Sequence, residues 1–312
     1  MGTSDLMRNV KMVLDRAGFI LSEVKGGGVS SFDLVSRRDD DILVMKVLVP
    51  GREMIKPWAN EMIALSRVLE ASPLILTPSS RSSVHRDGVL YIKLGVPLMT
   101  FNTFFDHLIE RVPPMIYYGS SGFFVSLDGE LMNKKRSEMG ISLGAMADKI
   151  GVSRKAVQMY ENGMGADIEV ALRIESVLDT QLILPLDPFS YSDELQSIRE
   201  GYDILDGMKK QVFEHLDALG MEIVPTQKCP FDALARLKVD IFLTSVNGTD
   251  GILKNRLDEL KSVGRVTGAD PLLIVPDEKR KKEINGLPVL GISELKAADD
   301  IDELITLIRE RL

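Results

Sequence analysis

Residues 128–178 read DGELMNKKRSEMGISLGAMADKIGVSRKAVQMYENGMGADIEVALRIESVL, and this stretch decides how the chain is organised. Its apolar residues recur at helical spacing in short blocks separated by turn residues, which predicts four short helices. LMNKKR (131–136) forms the body of the first. In ISLGAMADKI (141–150), Leu143, Met146, Ala147 and Ile150 share one face, and Ser142 stands before them as an N-cap. Gly151 follows the last apolar position, where a left-handed backbone costs little without a Cβ, and Ser153 caps the next helix. The gap is therefore a tight turn.

In the third helix, over 153–162, Ala156, Val157 and Tyr160 turn inward. That leaves Arg154, Lys155, Gln158 and Met159 outside and toward the N-terminal end. These residue types suit base edges: Arg or Lys donates to guanine O6 and N7, Gln pairs with adenine, and Met touches a thymine methyl. A recognition helix lies in the major groove with its first residues at the bases. Lys134, Ser142, Lys149 and Ser153 are the candidates for contacts to the DNA backbone. Short amphipathic helices also build ordinary bundles, and single lysines usually sit on solvated faces, so spacing alone leaves that plainer reading open.

The blocks resemble the Cro/phage-repressor type of helix-turn-helix domain from helix one through helix four, including YENG at 160–163. The resemblance implies a structural pair between an Arg late in helix one and the Glu ending the recognition helix, which are Arg136 and Glu161 here. The family's polar phosphate-contacting residue near the start of helix two is replaced by Leu143, which passes that contact to Ser142 and the amides around it.

Two flanking regions look like copies of one another. Val10, Leu14, Asp15 and Gly18 precede the strand-like FDLV (32–35) and ILVMKVLV (42–49). Val212, Leu216, Asp217 and Gly220 precede FDAL (231–234) and IFLTSV (241–246). ASPLILTP (71–78) is echoed by ADPLLIVP (269–276), and DGVL (87–90) by NGLP (285–288). The offset is 202 at the glycines, 199 at the Phe-Asp pair and 198 at the Ala-x-Pro strand, which needs only short loop deletions. Each copy reads as helix, hairpin, helix, buried strand, short strand and terminal helix, an α/β sandwich with a mixed sheet. Residues 43–48 and 272–275 are apolar and continuous, hence candidate central strands.

The first copy resembles the restriction-endonuclease or Holliday-junction-resolvase core, in which an Asp opens a hairpin and the second strand ends in Glu-x-Lys. Asp33 and Lys46 match two of those three residues, a degenerate nuclease site. Strand alternation puts residue 44 on the face of Lys46, and Val44 cannot hold Mg²⁺ or position a water. In the second copy Asp232 persists, but Leu243 and Ser245 occupy the other two places. Glu53 and Glu61 are acids that could have migrated to a metal. For Lys46 the plainer reading is a strand residue snorkelling at a sheet edge. We expect no catalytic residues, no metal and no cofactor.

The 312 residues, 45% hydrophobic and 27% charged, suit two or three domains with proper cores. A single cysteine, Cys229, excludes an internal disulfide, and His85, His107 and His215 are scattered, so metal ligation has no cluster to start from. Gly26, Gly27 and Gly28 lack the spacing of a nucleotide fingerprint. No apolar run is long enough to span a bilayer, the opening residues build no signal-peptide core, and Leu6 stands where myristoylation after Gly2 wants Ser or Thr. A cytoplasmic protein is expected. The net charge of −8 argues against non-specific coating of nucleic acid, but residues 133–159 carry six Lys/Arg against two acids, one basic face on an acidic body.

Pro113-Pro114 and the Gly/Ser-containing stretch to Gly122 mark one boundary, with a short hairpin where Phe123, Val125 and Leu127 alternate with polar or outward residues. Pro185, Asp187, Pro188 and Ser190 mark the other. The expected domains are 1–115, an α/β nuclease-like domain without activity; 116–186, a four- to five-helix reader strung between larger neighbours; and 187–312, a degenerate copy of the first. Residues 192–219 predict a long amphipathic helix whose first half packs within the chain or on a second subunit.

Over its whole length the chain resembles a family of archaeal HTH-type transcriptional regulators, most clearly in residues 128–164, FDLVSRR…ILVMKVL and ASPLILT. The resemblance implies binding of double-stranded operator DNA and control of transcription. A homodimer is expected, because such readers bind paired half-sites. Two other readings stay open, a metal-dependent DNA nuclease or resolvase-like enzyme targeted by the helix-turn-helix, and a protein-binding scaffold. The residues name neither the operator nor an effector.

Overall fold

The computed structural model describes residues 3–22, 30–49, 51–79, 84–119, 122–190, 207–246, 254–277, 283–298 and 300–311. The N-terminal part runs α1 (Thr3–Arg16), β1 (Ile20–Leu21), β2 (Leu34–Arg38), β3 (Asp41–Val47), α2 (Lys56–Val68), β4 (Ser72–Thr77), β5 (Val89–Lys93), β6 (Val96–Thr100) and α3 (Phe101–Phe105), which continues as a π-helical turn, Asp106–Glu110. Its strands lie in the order β1-β2-β3-β4-β6-β5. β3, β4 and β6 are mutually parallel and the outer pairs antiparallel.

β3 is buried along nearly its whole length because helices cover both of its faces. Leu43, Met45 and Val47 pack with Leu6, Leu14 and Phe104 beneath α1 and α3. Val44 and Leu48 face the other way, toward Met62 and Leu65 of α2. The short strand expected after β4 is a hairpin, β5 and β6, and β6 enters the sheet between β4 and β5. Pro97 disguised it. A proline cannot donate to a ladder, but Pro97 pairs only with Ile92 of β5, and the pairing with β4 begins one residue later at Leu98. The expectation that Lys46 lies at a sheet edge also fails, because β3 has neighbours on both sides.

After Pro114 the chain does not leave as a linker. β7 (Ile116–Gly119) pairs in parallel with β5, and β8 (Gly122–Leu127) pairs with β7, so the N-terminal sheet runs on into the middle of the chain. There follow α4 (Gly129–Glu138), α5 (Leu143–Ile150), α6 (Arg154–Glu161), β9 (Ala166–Asp167), α7 (Ile168–Leu178) and β10 (Ile183–Leu184), with β9 and β10 both paired to β8. The reader is therefore joined to its neighbour by a shared sheet and not strung between domains. Its way out is fixed too: Leu186 N donates to Pro114 O at 2.8 Å, and the Ser72 hydroxyl donates to Phe189 O.

The C-terminal part runs α8 (Gly207–Ala218), β11 (Glu222–Pro225), β12 (Ala233–Leu237), β13 (Asp240–Val246), α9 (Lys254–Thr267), β14 (Asp270–Val275), β15 (Glu283–Ile284), β16 (Leu287–Gly291), α10 (Ile292–Ala297) and α11 (Ile301–Arg309). Its strand order, β11-β12-β13-β14-β16-β15, matches that of β1 to β6 position for position. Of the long helix expected over 192–219, the second half is α8; residues 192–206 lie outside the described residues.

The two α/β parts share one apolar core, in which Phe32, Val35, Val44 and Met62 join Phe231, Leu234, Leu243 and Leu260. The contact is reciprocal: α2 lies against β12, and α9 against β2. Burying the α2 side of one sheet against the α9 side of the other supplies the driving force, and polar groups fix the register. Glu61, on α2 and 8% exposed, accepts from Gln227 N at 2.6 Å, Lys228 N at 3.3 Å and the hydroxyl of Ser31. Ser31 N donates in turn to Lys228 O at 2.9 Å. Nearer the rim, Glu222 takes Arg67 across the seam at 2.8 Å and Arg236 of its own sheet at 2.7 Å.

Glu61→Ala strands these donors. Because the 227–228 loop lies near water, the expected loss is about 2 kcal/mol, read as a lower urea midpoint; Glu61→Gln, which keeps an acceptor, should lose less. An unchanged midpoint for the alanine variant would remove Glu61 from this role.

Candidate nucleic-acid interface

The central helices carry their own stop and start signals. Asp128 caps α4 by accepting from Leu131 N at 2.9 Å. Ser142 and Ser153 cap α5 and α6 by accepting from Ala145 N and Ala156 N, each at 3.1 Å. Gly151, with φ 73°, closes α5 in the left-handed region and sets the turn between them. Met146, Ala147, Ile150, Val157 and Tyr160 meet Met132 of α4 and Ala171 and Ile174 of α7 in a core that also takes in Val125 and Leu127 of β8.

Packing inward on that core leaves Arg154, Lys155, Gln158 and Met159 exposed along α6. Met159 is an apolar side chain that remains 41% exposed. The first turn of α6 holds two cations and no acid. That arrangement opposes the helix dipole, whose positive end favours carboxylates. Lys134 and Lys149 are exposed on α4 and α5. The hydroxyls of Ser142 and Ser153 use only acceptor lone pairs in capping, so each keeps its proton for an external acceptor.

Arg136 and Glu161 meet in a forked pair that ties α4 to the end of α6. Arg136 Nε and Nη2 donate to the two oxygens of Glu161, the second at 3.0 Å, and Nη1 donates to Ile141 O at 2.9 Å. The hydrogen bond to Glu161 raises the guanidinium pKa further above its ordinary value. Sequence reasoning missed three supports of this arrangement. Asn133 Nδ2 donates to Glu161 at 2.8 Å, and Arg173 Nε reaches from α7 to Ile150 O, the last carbonyl of α5, at 2.9 Å. At Gly129 a Cβ would lie 2.5 Å from Glu161 O, so α4 approaches α6 as closely as a helix without a side chain can. Gly129 in the DGE run was the legible signal; the other two contacts join residues far apart in sequence.

The degenerate nuclease site faces the seam. Lys46 is 2% exposed; its Nζ donates to Asp33 Oδ1 at 3.0 Å and Ser30 O at 2.6 Å and sits 4.6 Å from the centre of the Trp58 ring. Asp33 Oδ2 accepts from Val47 N at 2.9 Å. Ser30 Oγ then donates to Lys228 O at 2.7 Å, so the loop of the other α/β part closes over the pair. Glu61 is committed to that loop, and Glu53 is exposed. In the C-terminal part Asp232 is held by Arg256 at 2.7 Å, Lys209 at 2.8 Å and Val246 N at 2.8 Å. Burial raises its pKa, but these cations and the amide outweigh burial and hold it below the usual aspartate value. Its stabilising effect is thus present above that usual value and is lost as pH falls through the lowered one. Burial, and then Glu61, push the Cys229 thiol well up, which makes it a poor nucleophile. Among the described residues no cluster of His, Cys, Asp and Glu could hold a metal. No helix of the described residues is long and apolar enough to cross a membrane.

Residues 3–114 match a family described as a PD-(D/E)XK superfamily domain, and residues 132–183 match one described as helix-turn-helix. The chain is 33% identical, over its full length and 99% of the relative, to a Natronomonas pharaonis protein named "Putative HTH-type transcriptional regulatory protein". It is 35% identical to a protein so named from Methanocaldococcus jannaschii, over 94% of this chain and 92% of that one. A third, from Thermoplasma acidophilum, is 29% identical over 98% and 97%. No solved structure matches the chain.

Arg136→Ala leaves the Glu161 carboxylate, 5% exposed, without its cation. The expected loss is about 3 kcal/mol, seen as an early melt of the central helices. Gly129→Ala should cost about 1–3 kcal/mol by overpacking against the end of α6; melting curves that overlay wild type would reject both assignments.

Proposed function

The chain belongs to the family of archaeal HTH-type transcriptional regulatory proteins, and from that premise we propose that it is a sequence-specific DNA-binding regulator whose α6 reads the major groove of an operator. The observation that carries this reading is the pair of cations, Arg154 and Lys155, in the first turn of α6. They sit where the helix dipole disfavours them and where an approaching phosphate or guanine edge would repay them. Gln158 and Met159 extend the reading face by one turn, while Lys134, Ser142, Lys149 and Ser153 hold the DNA backbone. Arg136 and Glu161 act by keeping α6 in place and touch no base.

The nuclease-like part serves, in this proposal, as a scaffold without activity. Lys46 occupies the centre of the old site as the counter-ion of Asp33, Val44 supplies no ligand, and the 227–229 loop lies over the opening. The equal strand order of the two α/β parts supports reading 187–312 as a degenerate copy of 1–115, with 116–186 as the reader. Each chain carries one reader, and paired half-sites then call for a homodimer. The cytoplasm, where Cys229 stays reduced, is the fitting compartment.

Fragmented genomic DNA should be retained by the protein in EDTA and yield a short palindromic motif, with an Arg154→Ala/Lys155→Ala control retaining none. Arg154→Ala alone should weaken binding to that motif by about 1–3 kcal/mol and relax preference at one or two positions. Equal recovery by both proteins, without a motif, would refute base reading. Supercoiled plasmid should survive incubation with Mg²⁺ or Mn²⁺; nicking abolished by Lys46→Ala would establish the nuclease instead. Sedimentation should give a dimer at micromolar concentration, and a clean monomer with and without DNA would count against it.

A further inference from the structure

A cleft of about 360 Å³ opens where the chain passes into and out of the reader, within the range of roughly 300–1,000 Å³ usual for small-molecule sites. Its lining includes the apolar Leu108, Pro113 and Phe189. It also includes the charged Arg38, Asp41, Arg111 and Asp187. Arg38 and Asp41 satisfy each other at 3.0 Å. Arg111 and Asp187 do not: among the described residues neither makes an ion pair, and the Arg111 guanidinium makes no hydrogen bond.

Two further features mark this place as built. The wall is the π-helical turn Asp106–Glu110, a rare geometry that recurs at functional sites, and Arg111 closes it in the left-handed region at φ 60°. His107, edge-on to Phe189 with ring centres 5.1 Å apart, has a buried Nδ1 with no partner. Burial, with help from Arg111 and Arg38 and against Asp187, holds its pKa below the ordinary value, which disfavours a charged ring here.

The balance of charge selects the ligand. Arg38 and Asp41 offset each other, so a simple anion gains from Arg111 but is repelled by Asp187, and a simple cation meets the reverse. We propose that the cleft binds a small zwitterion of the free α-amino-acid type, its carboxylate on Arg111, its ammonium on Asp187 and a short apolar side chain against Leu108, Pro113 and Phe189. Carboxylate on guanidinium can form two parallel bonds, which gives orientation as well as attraction.

Calorimetry on the full chain without DNA tests this independently of the DNA-binding reading. L-Leucine is the probe, with 4-methylpentanoate and isopentylamine as halves of it that lack one charge. Saturable binding of leucine is expected, with each half at least roughly tenfold weaker. Arg111→Ala and Asp187→Asn should each weaken leucine by a similar factor while melting like wild type; the asparagine keeps the oxygen that accepts from Phe189 N at 2.9 Å. Absence of leucine binding, equal binding of either half, or full binding by the Arg111 variant would overturn the proposal.

Discussion

The seam between the two α/β parts is the constraint on which the rest of the structure depends. Each sheet has one face covered by its terminal helices, while on the other face α2 or α9 covers only part of the apolar surface and the opposite α/β part completes the core. Val44 and Met62 on one side, and Leu243 and Leu260 on the other, are buried in one shared core. Neither face could stand in water, because an apolar surface of that size drives association. The seam also explains how polar groups come to lie so deep. Glu61 reaches across to backbone amides, and Lys46 is enclosed with Asp33, so the buried charges are paired or hydrogen-bonded as the low dielectric requires.

The seam brings the 228 loop beside Asp33 and Lys46, because Ser30 accepts from Lys46 Nζ and donates to Lys228 O. The substitution of Val44 and the closure of the loop reinforce one another. With no acid at 44, Asp33 would be left facing Lys46 alone, and that pair is a stable occupant of a buried site. With the loop in place, Lys46 Nζ has Asp33, Ser30 O and the Trp58 ring around it. The C-terminal part reaches a comparable end by other means, putting Arg256 and Lys209 on Asp232.

Much of the central site was legible because its signals are local. Ser142, Gly151 and Ser153 act within one turn of themselves, so their spacing predicts the caps and the left-handed residue that the structure contains. The repeated Phe-Asp and Ala-x-Pro segments fall on equivalent strands for the same reason. What escaped the sequence depends on partners far along the chain. Nothing near Ile116 says that it pairs with Val89, and nothing near Glu61 says that its acceptors will be used by residues 227 and 228. β6 was not separated from β5 in the sequence; Pro97 pairs only with Ile92, and the ladder with β4 begins at Leu98.

Fusion of the reader to the N-terminal sheet bears on how two chains could share an operator. A reader on a flexible tether adapts to any spacing of half-sites. Here β7 on β5, and the bond from Leu186 to Pro114, hold the reader at both of its ends. The seam cannot also serve as the contact between subunits, since the chain already fills it with its own second half. In the proposed homodimer a second subunit would have to meet another surface, and the distance between the two α6 helices would then be set by rigid bodies rather than by linkers. Half-sites about 34 Å apart, one turn of DNA, demand that kind of fixed separation. The net charge of −8 works in the same direction, because an acidic body disfavours loose association with DNA and leaves the proposed binding to the basic face around α6.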